Sequence, residues 1–231
     1  MVNDYTVLDL ETTGLSVKED RIIEIAAARV RNGVITAQYE TFIKPGKSLR
    51  PEIIELTGIS EADLAGAPEP STAIPEVLRF IAGDILVGHR IIFDYSFLKR
   101  AASYLKLPFE MKGIDTLPLA RAFLPELESK SLVSLCEYFH ITHIPHRAMG
   151  DVMATKELYD KLSDFPRFER LAIPRQLIHK VKKETPVTKS QKEQLYKLLN
   201  KHKLIIDYDI DTLTRNEASR IMDKIFAAYG R

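Results

Sequence analysis

The chain has no tryptophan and only one cysteine among its 231 residues. A lone thiol cannot close an internal disulfide, so a fold held by burial and hydrogen bonding in a reducing, cytoplasmic setting is expected. That thiol, Cys136, falls in the apolar pattern Leu132, Leu135, Cys136, Phe139 and reads as buried core. No apolar run approaches 18 residues, and no basic stretch leads into an apolar one at the start. Neither a membrane span nor a secretion signal is therefore expected. Repeats and low-complexity tracts are also absent, which excludes solenoids and disordered arrays. Net charge is nearly absent too, at +1, but the halves differ. Residues 166–231 hold 15 Lys+Arg against 8 Asp+Glu, a net +7, leaving 18 against 24 and a net −6 in residues 1–165. The basic half can supply salt-dependent attraction to phosphates, or it is simply a solvated surface.

The chain has an ordinary apolar content of 45%, enough for one sizeable domain and a small appendage. Within it, Tyr5-Thr-Val-Leu-Asp9-Leu-Glu11-Thr-Thr-Gly14 runs a short apolar strand into two carboxylates. Alternation along a strand puts Asp9 and Glu11 on one face. Two like charges side by side at a buried strand end repel unless a cation neutralises them, and hard oxygen ligands suit Mg²⁺ or Mn²⁺. A second block, Gly88-His89-Arg90-Ile91-Ile92-Phe93-Asp94, follows a strand and opens a helix, where α/β sheets place ligands. By itself Asp94 reads as a helix-start charge. A third block, His146-Arg147-Ala148-Met149-Gly150-Asp151, puts Asp151 on an early helical turn and His146 on the loop entering it. A histidine beside a polarised water has the chemistry of a general base.

Strands are expected at 5–10, 21–30, 35–43, 85–88 and 111–114, and helices at 71–82, 93–105, 117–123, 131–139 and 149–162. Three strands in succession, then strands alternating with helices, define an α/β fold with a mixed five-stranded sheet and helices on both faces. Pro51, Pro68, Pro70 and Pro75 read as punctuation in loops. The expected division is a catalytic domain at 1–165, a connector at 166–184 carrying the basic cluster Lys180 to Lys183, and a small helical module at 185–231. In that module Thr188-x-x-Gln191 and Thr214-x-x-Glu217 fit capping boxes for helices at 189–202 and 215–229, with Ile205, Ile206 and Tyr208 as cover for a small core. Whether the module docks on the domain is left open. The spacing of His140, His143 and His146 invites a zinc site, but Pro145 breaks the helix that would align them. His140 and His143 are expected to be loop or surface residues.

In this order the three blocks resemble the DEDDh group of 3′–5′ exonucleases in the ribonuclease H-like superfamily, over roughly residues 5–162. Softer matches are Arg21-Ile-Ile-Glu24-Ile25, Asp115-Thr116-Leu117 and Ser131-Leu132. The resemblance implies a ribonuclease H-like core, with Asp9, Glu11, Asp94 and Asp151 holding two divalent ions, Mg²⁺ or Mn²⁺, and His146 as general base. It also implies that backbone around Thr12, Thr13 and Gly14 receives the 3′-terminal nucleotide, with Leu15 and Phe93 near its base. The family's usual asparagine is Arg90 here, a cationic fork suited to phosphate. The implied substrate is a nucleic acid with a free 3′ end, DNA in preference to RNA, and the implied partner is a polymerase or other replication protein. Two other readings remain open: RNA 3′-end trimming like that of ribonuclease T or oligoribonuclease, and a non-catalytic nucleic-acid-binding subunit.

Overall fold

An apolar strand near the start of the chain seeds the central sheet. The computed structural model describes residues 2–181, 185–206 and 208–230. In it β1 (Tyr5–Thr12), β2 (Ile22–Arg31) and β3 (Val34–Phe42) form an antiparallel meander. Then come α1 (Pro51–Thr57), α2 (Glu61–Leu64), α3 (Pro70–Ile81), β4 (Leu86–Gly88), α4 (Ile92–Tyr104), β5 (Lys112–Asp115) and α5 (Thr116–Phe123). They are followed by α6 (Leu132–Phe139), α7 (Ala148–Ser163), α8 (Phe168–Leu171) and the two-residue β6 (Arg175–Gln176). The sheet order is β3-β2-β1-β4-β5-β6, with β1, β4 and β5 mutually parallel and β6 antiparallel to β5. The expected five strands are therefore six. Within residues 168–177, Phe168, Ala172 and Leu177 are buried in the core.

Strand alternation divides the core between the two faces. Leu8 and Leu10 join Ile25, Ala27 and Leu86 against α3 and α4. Tyr5 and Val7 join Ala26, Ala28 and Val30 against Val152, Leu158 and Tyr159 of α7. Each such side chain contributes about 1.5–3 kcal/mol by leaving water, so Leu8→Ala is expected to cost about 2–5 kcal/mol. Pro68 lies in a loop as expected, but Pro51 and Pro70 lie in the first turns of α1 and α3, where a missing N–H costs nothing. Pro75 lies inside α3.

Both capping boxes form, and they start α9 (Lys189–His202) and α10 (Arg215–Tyr229). Leu195, Leu198, Leu199, Ala218, Met222 and Ile225 pack between these helices. Ile206 and Tyr208 pack against that core as expected, but Ile205 is 99% exposed and covers nothing. The module docks. Glu217 accepts from Arg21, just before β2, at 2.8 Å and from Arg100 of α4 at 3.3 Å, and the amide of Asp209 donates to the Gly46 carbonyl. Lys182 and Lys183 of the basic cluster lie outside the described residues.

Candidate active site

Residue parity on two paired strands builds the centre of the site. Asp9 and Glu11 follow Tyr5 and Val7 on the β1 face that meets α7, and Glu24 shares a face of β2 with Ala26 and Ala28. The register sets Glu11 directly opposite Glu24. Asp151, in the first turn of α7, completes the group: carboxylate oxygens of Asp9, Glu11 and Asp151 lie within 4.8 Å of one another. Asp94 arrives from the other side of β1. β1 pairs with β4 through Thr6 with Leu86 and Val7 with Val87, and beyond these pairs the buried Asp94 accepts from the Leu10 amide at 3.1 Å. Asp94 thus ties the start of α4 to the carboxylate-bearing strand end.

The electrostatics are unfavourable by design of the sequence. Burial, with the charges of Asp94, Asp151 and Glu11, raises the Asp9 carboxyl well above the usual range. Burial also raises Asp94, although its backbone hydrogen bonds oppose this. Glu11 is pushed up to about 8 by burial and by Asp151 and Glu24, with Arg147 opposing. Carboxylates so crowded and so poorly compensated favour a cation, and an all-oxygen donor set fits a hard divalent one. The three histidines do not gather into a zinc set among the described residues.

His143 lies on the loop before α7, as expected, and its ring, only 6% exposed, pairs through Nε2 with Asp151 Oδ1. His146 meets Asp151 through its backbone amide, which donates to Oδ2 at 3.2 Å, and its own backbone is left-handed at φ 62°. Sequence periodicity could not place His143, because the loop containing Pro145 has no repeat to read. Glu24 was also missed as a site residue. It is almost fully buried and accepts from Arg147 Nη2 at 2.9 Å and from the Ala148 amide at 3.0 Å, anchoring the start of α7.

At the rim, Thr12 Oγ1 donates to the Gly14 carbonyl, and Arg50 donates to the carbonyl of Thr13 at 3.0 Å. Thr13 is committed to the loop itself: its amide donates to the Arg21 carbonyl and its hydroxyl to Asp20. Gly14, at φ 154°, disfavours a side chain, and a Cβ there would lie 2.4 Å from the Arg50 guanidinium and 2.5 Å from the Asp20 carboxylate, which would have to shift. Leu15 beside it is 86% exposed. Phe93 packs on Phe97 at the start of α4. Arg90 is exposed and left-handed at φ 66°, and its amide donates to Asp115.

An acidic cluster at the end of a central strand, on a mixed sheet covered by helices, suits a hydrolase that works with divalent metal. Residues 6–159 match the RNase T family, described as exonuclease. The chain belongs to this exonuclease family. It is 37% identical over 160 residues to DNA polymerase III subunit epsilon of Aquifex aeolicus, covering 68% of this chain and 79% of that protein. It is 39% identical over 160 residues to DNA polymerase III PolC-type of Caldanaerobacter subterraneus subsp. tengcongensis, covering 69% of this chain. The chain spans only 11% of that much longer relative. Among solved structures, exonuclease X in complex with 5′ overhanging duplex DNA superposes with a TM-score of 0.57 at 25% identity, over 73% of this chain and 97% of that one.

Proposed function

We propose that this chain removes nucleotides from the 3′ end of single-stranded DNA, as a 3′–5′ exonuclease acting in the cytoplasm beside a replicative polymerase. The observation that carries the proposal is the convergence of Asp9, Glu11 and Asp151 within 4.8 Å, with Asp94 on the same strand end. The polymerase subunit names of its relatives support the proofreading partner. No helix among the described residues is long and apolar enough to cross a membrane.

In this reading Asp9, Glu11, Asp94 and Asp151 hold two divalent ions, Mg²⁺ or Mn²⁺. When bound, the ions supply a water of lowered pKa and counter-charge for the leaving oxygen. His146, on a loop free of regular structure, turns its ring toward the acidic set and takes the proton of the attacking water. The new O–P bond forms, the bond to the 3′-oxygen breaks, and a 5′-mononucleotide leaves. Gly14 and Leu15 receive the terminal nucleotide together with Thr12, while Thr13 keeps the loop in shape. Phe93 packs beneath the terminal base, because apolar and aromatic faces bind single strands with little base preference. Residues 1–165 form the catalytic domain, residues 166–184 join it to the module, and the module at 185–231 is a surface for nucleic acid or a partner.

The test uses single strands of DNA and RNA labelled at either end, with Mg²⁺ or with EDTA. A descending ladder from 5′-labelled DNA, immediate release of the 3′ label and silence in EDTA are expected. Activity in EDTA, or a ladder from the 3′-labelled strand, overturns the reading. Equal or faster cleavage of RNA overturns the choice of substrate.

A further inference from the structure

Beyond the C-terminal end of β4, the chain forms a cleft of about 1000 Å³ with α5 and the loop before α6. Its lining includes His89, Arg90, Arg121, Glu128, Lys130 and Ser131. We infer that this cleft carries the sugar–phosphate backbone of the DNA strand on the 5′ side of the scissile bond, with Arg90 and Arg121 as its phosphate ligands. The inference rests on the proposed single-strand hydrolysis.

Position is the first support. His89 directly follows β4, which lies parallel to β1, so the cleft opens at the same end of the sheet as Asp9. A strand whose terminal nucleotide rests at Gly14 and whose last phosphate lies at the carboxylates passes over this end.

Charge is the second support. Arg21, Arg29, Arg31 and Arg147 are each spent on a carboxylate. Arg90 and Arg121 are both exposed, and among the described residues neither guanidinium has an ion pair or a side-chain hydrogen bond. Among the described residues that line the cleft, Glu128 is the one acid, against three cations. Lys130 turns its ammonium back on the carbonyls of Leu127 and Pro125, so it adds charge while the arginines keep their donors free. A guanidinium fork matches phosphate geometry, and uncommitted forks beside a phosphodiester-cleaving centre suit a strand backbone.

Rigidity is the third. The His89 ring is held between Thr116 Oγ1 and the Lys130 carbonyl, each at 2.9 Å, which pins the 124–131 loop to the end of β4. The Arg90 backbone is left-handed, and its N–H donates to Asp115 Oδ1 at 2.9 Å. The cleft is thus a formed wall.

The test is oligonucleotide binding by fluorescence anisotropy across a salt series. The full chain carries His146→Ala to slow turnover, with Mg²⁺ present, and the probe is 5′-fluorescein dT12. Thymidine 5′-monophosphate, which occupies only the terminal position, is the control. Arg121→Ala and Arg90→Ala should each weaken dT12 binding and lower the slope of log K against log salt by about 0.7, the value for one single-strand phosphate contact. Mononucleotide affinity should not change, and Arg121→Lys should recover the slope. Unchanged dT12 affinity and slope in both alanine variants, with the parent still binding, overturn the cleft assignment and leave the proposed function standing. If the parent binds neither probe, both fall.

Discussion

Glu24 and Arg147 meet at 2.9 Å across the seam between β2 and α7, the acid almost fully buried and the arginine side chain 46% exposed. The same carboxylate takes the Ala148 amide, so one residue of the sheet fixes where α7 begins and where the loop carrying His143 and His146 ends. The pair is unequal, and its two halves should respond differently to removal. Arg147→Ala strands a buried carboxylate beside Asp9 and Glu11, an expected loss of about 3 kcal/mol. Glu24→Gln keeps an acceptor for Ala148 and leaves an arginine that water can reach, an expected loss of about 1 kcal/mol. Urea denaturation in EDTA measures both, and the reverse order would contradict the role given to Glu24.

The ion-free protein should lose stability as pH rises. Glu11 has its folded pKa raised from 4.5 to about 8, and Asp9 and Asp94 are raised as well, so the folded state holds more protons than the unfolded one across this window. Stability then falls from about pH 5 to pH 8, opposite to the usual behaviour of paired carboxylates. Thermal midpoints in EDTA should show that slope, and Mg²⁺ should remove it. A midpoint in EDTA that is flat or rises over this range would contradict the uncompensated cluster.

Removing one of the repelling acids should stabilise the ion-free fold while ending catalysis. Asp9→Asn is expected to raise the midpoint in EDTA at pH 8 by about 4 °C, equivalent to roughly 1–2 kcal/mol in a chain of this size. Turnover should vanish in this variant and in Asp151→Asn. Full activity in either would sink the assignment.

The two loop histidines should separate in function. His146→Ala should lower kcat by about 10²- to 10⁴-fold, as loss of a general base does. His143→Ala frees Asp151 from its ring partner, so it should lower kcat by less and leave Mn²⁺ affinity equal or tighter in calorimetry. If His143→Ala alone abolishes turnover, the base is His143.

The C-terminal module should report through Glu217. Its carboxylate is held below the usual range chiefly by Arg21, against the effect of burial, and Arg100 adds to this. Glu217→Ala leaves two arginines facing each other at the interface and should cost about 2–4 kcal/mol. Amide exchange should quicken in the Thr13–Arg21 loop, because Arg21 ties that loop to the module. Exchange unchanged there would mean the module docks without bracing the site.

The legible part of the site was its local part. Asp9 and Glu11 are set by strand alternation, and Asp94 and Asp151 by their places at helix starts. Glu24 carries the same parity signal, but its meaning depends on the register with Glu11, which no single strand reveals. The two-residue β6 and four-residue α8 are too short for periodicity. Arg21 and Glu217 are 196 residues apart, so their pairing exists only in the folded chain. Ile205 was misjudged because an apolar residue between helices need not face them.

The most direct measurement is anomalous diffraction from crystals of the full chain soaked with Mn²⁺ and thymidine 5′-monophosphate. Two peaks roughly 3.5–4 Å apart, with Asp9 against both and Glu11, Asp94 and Asp151 completing their shells, are the expected result. Crystals that diffract well yet show no anomalous peak beside Asp9 would contradict it.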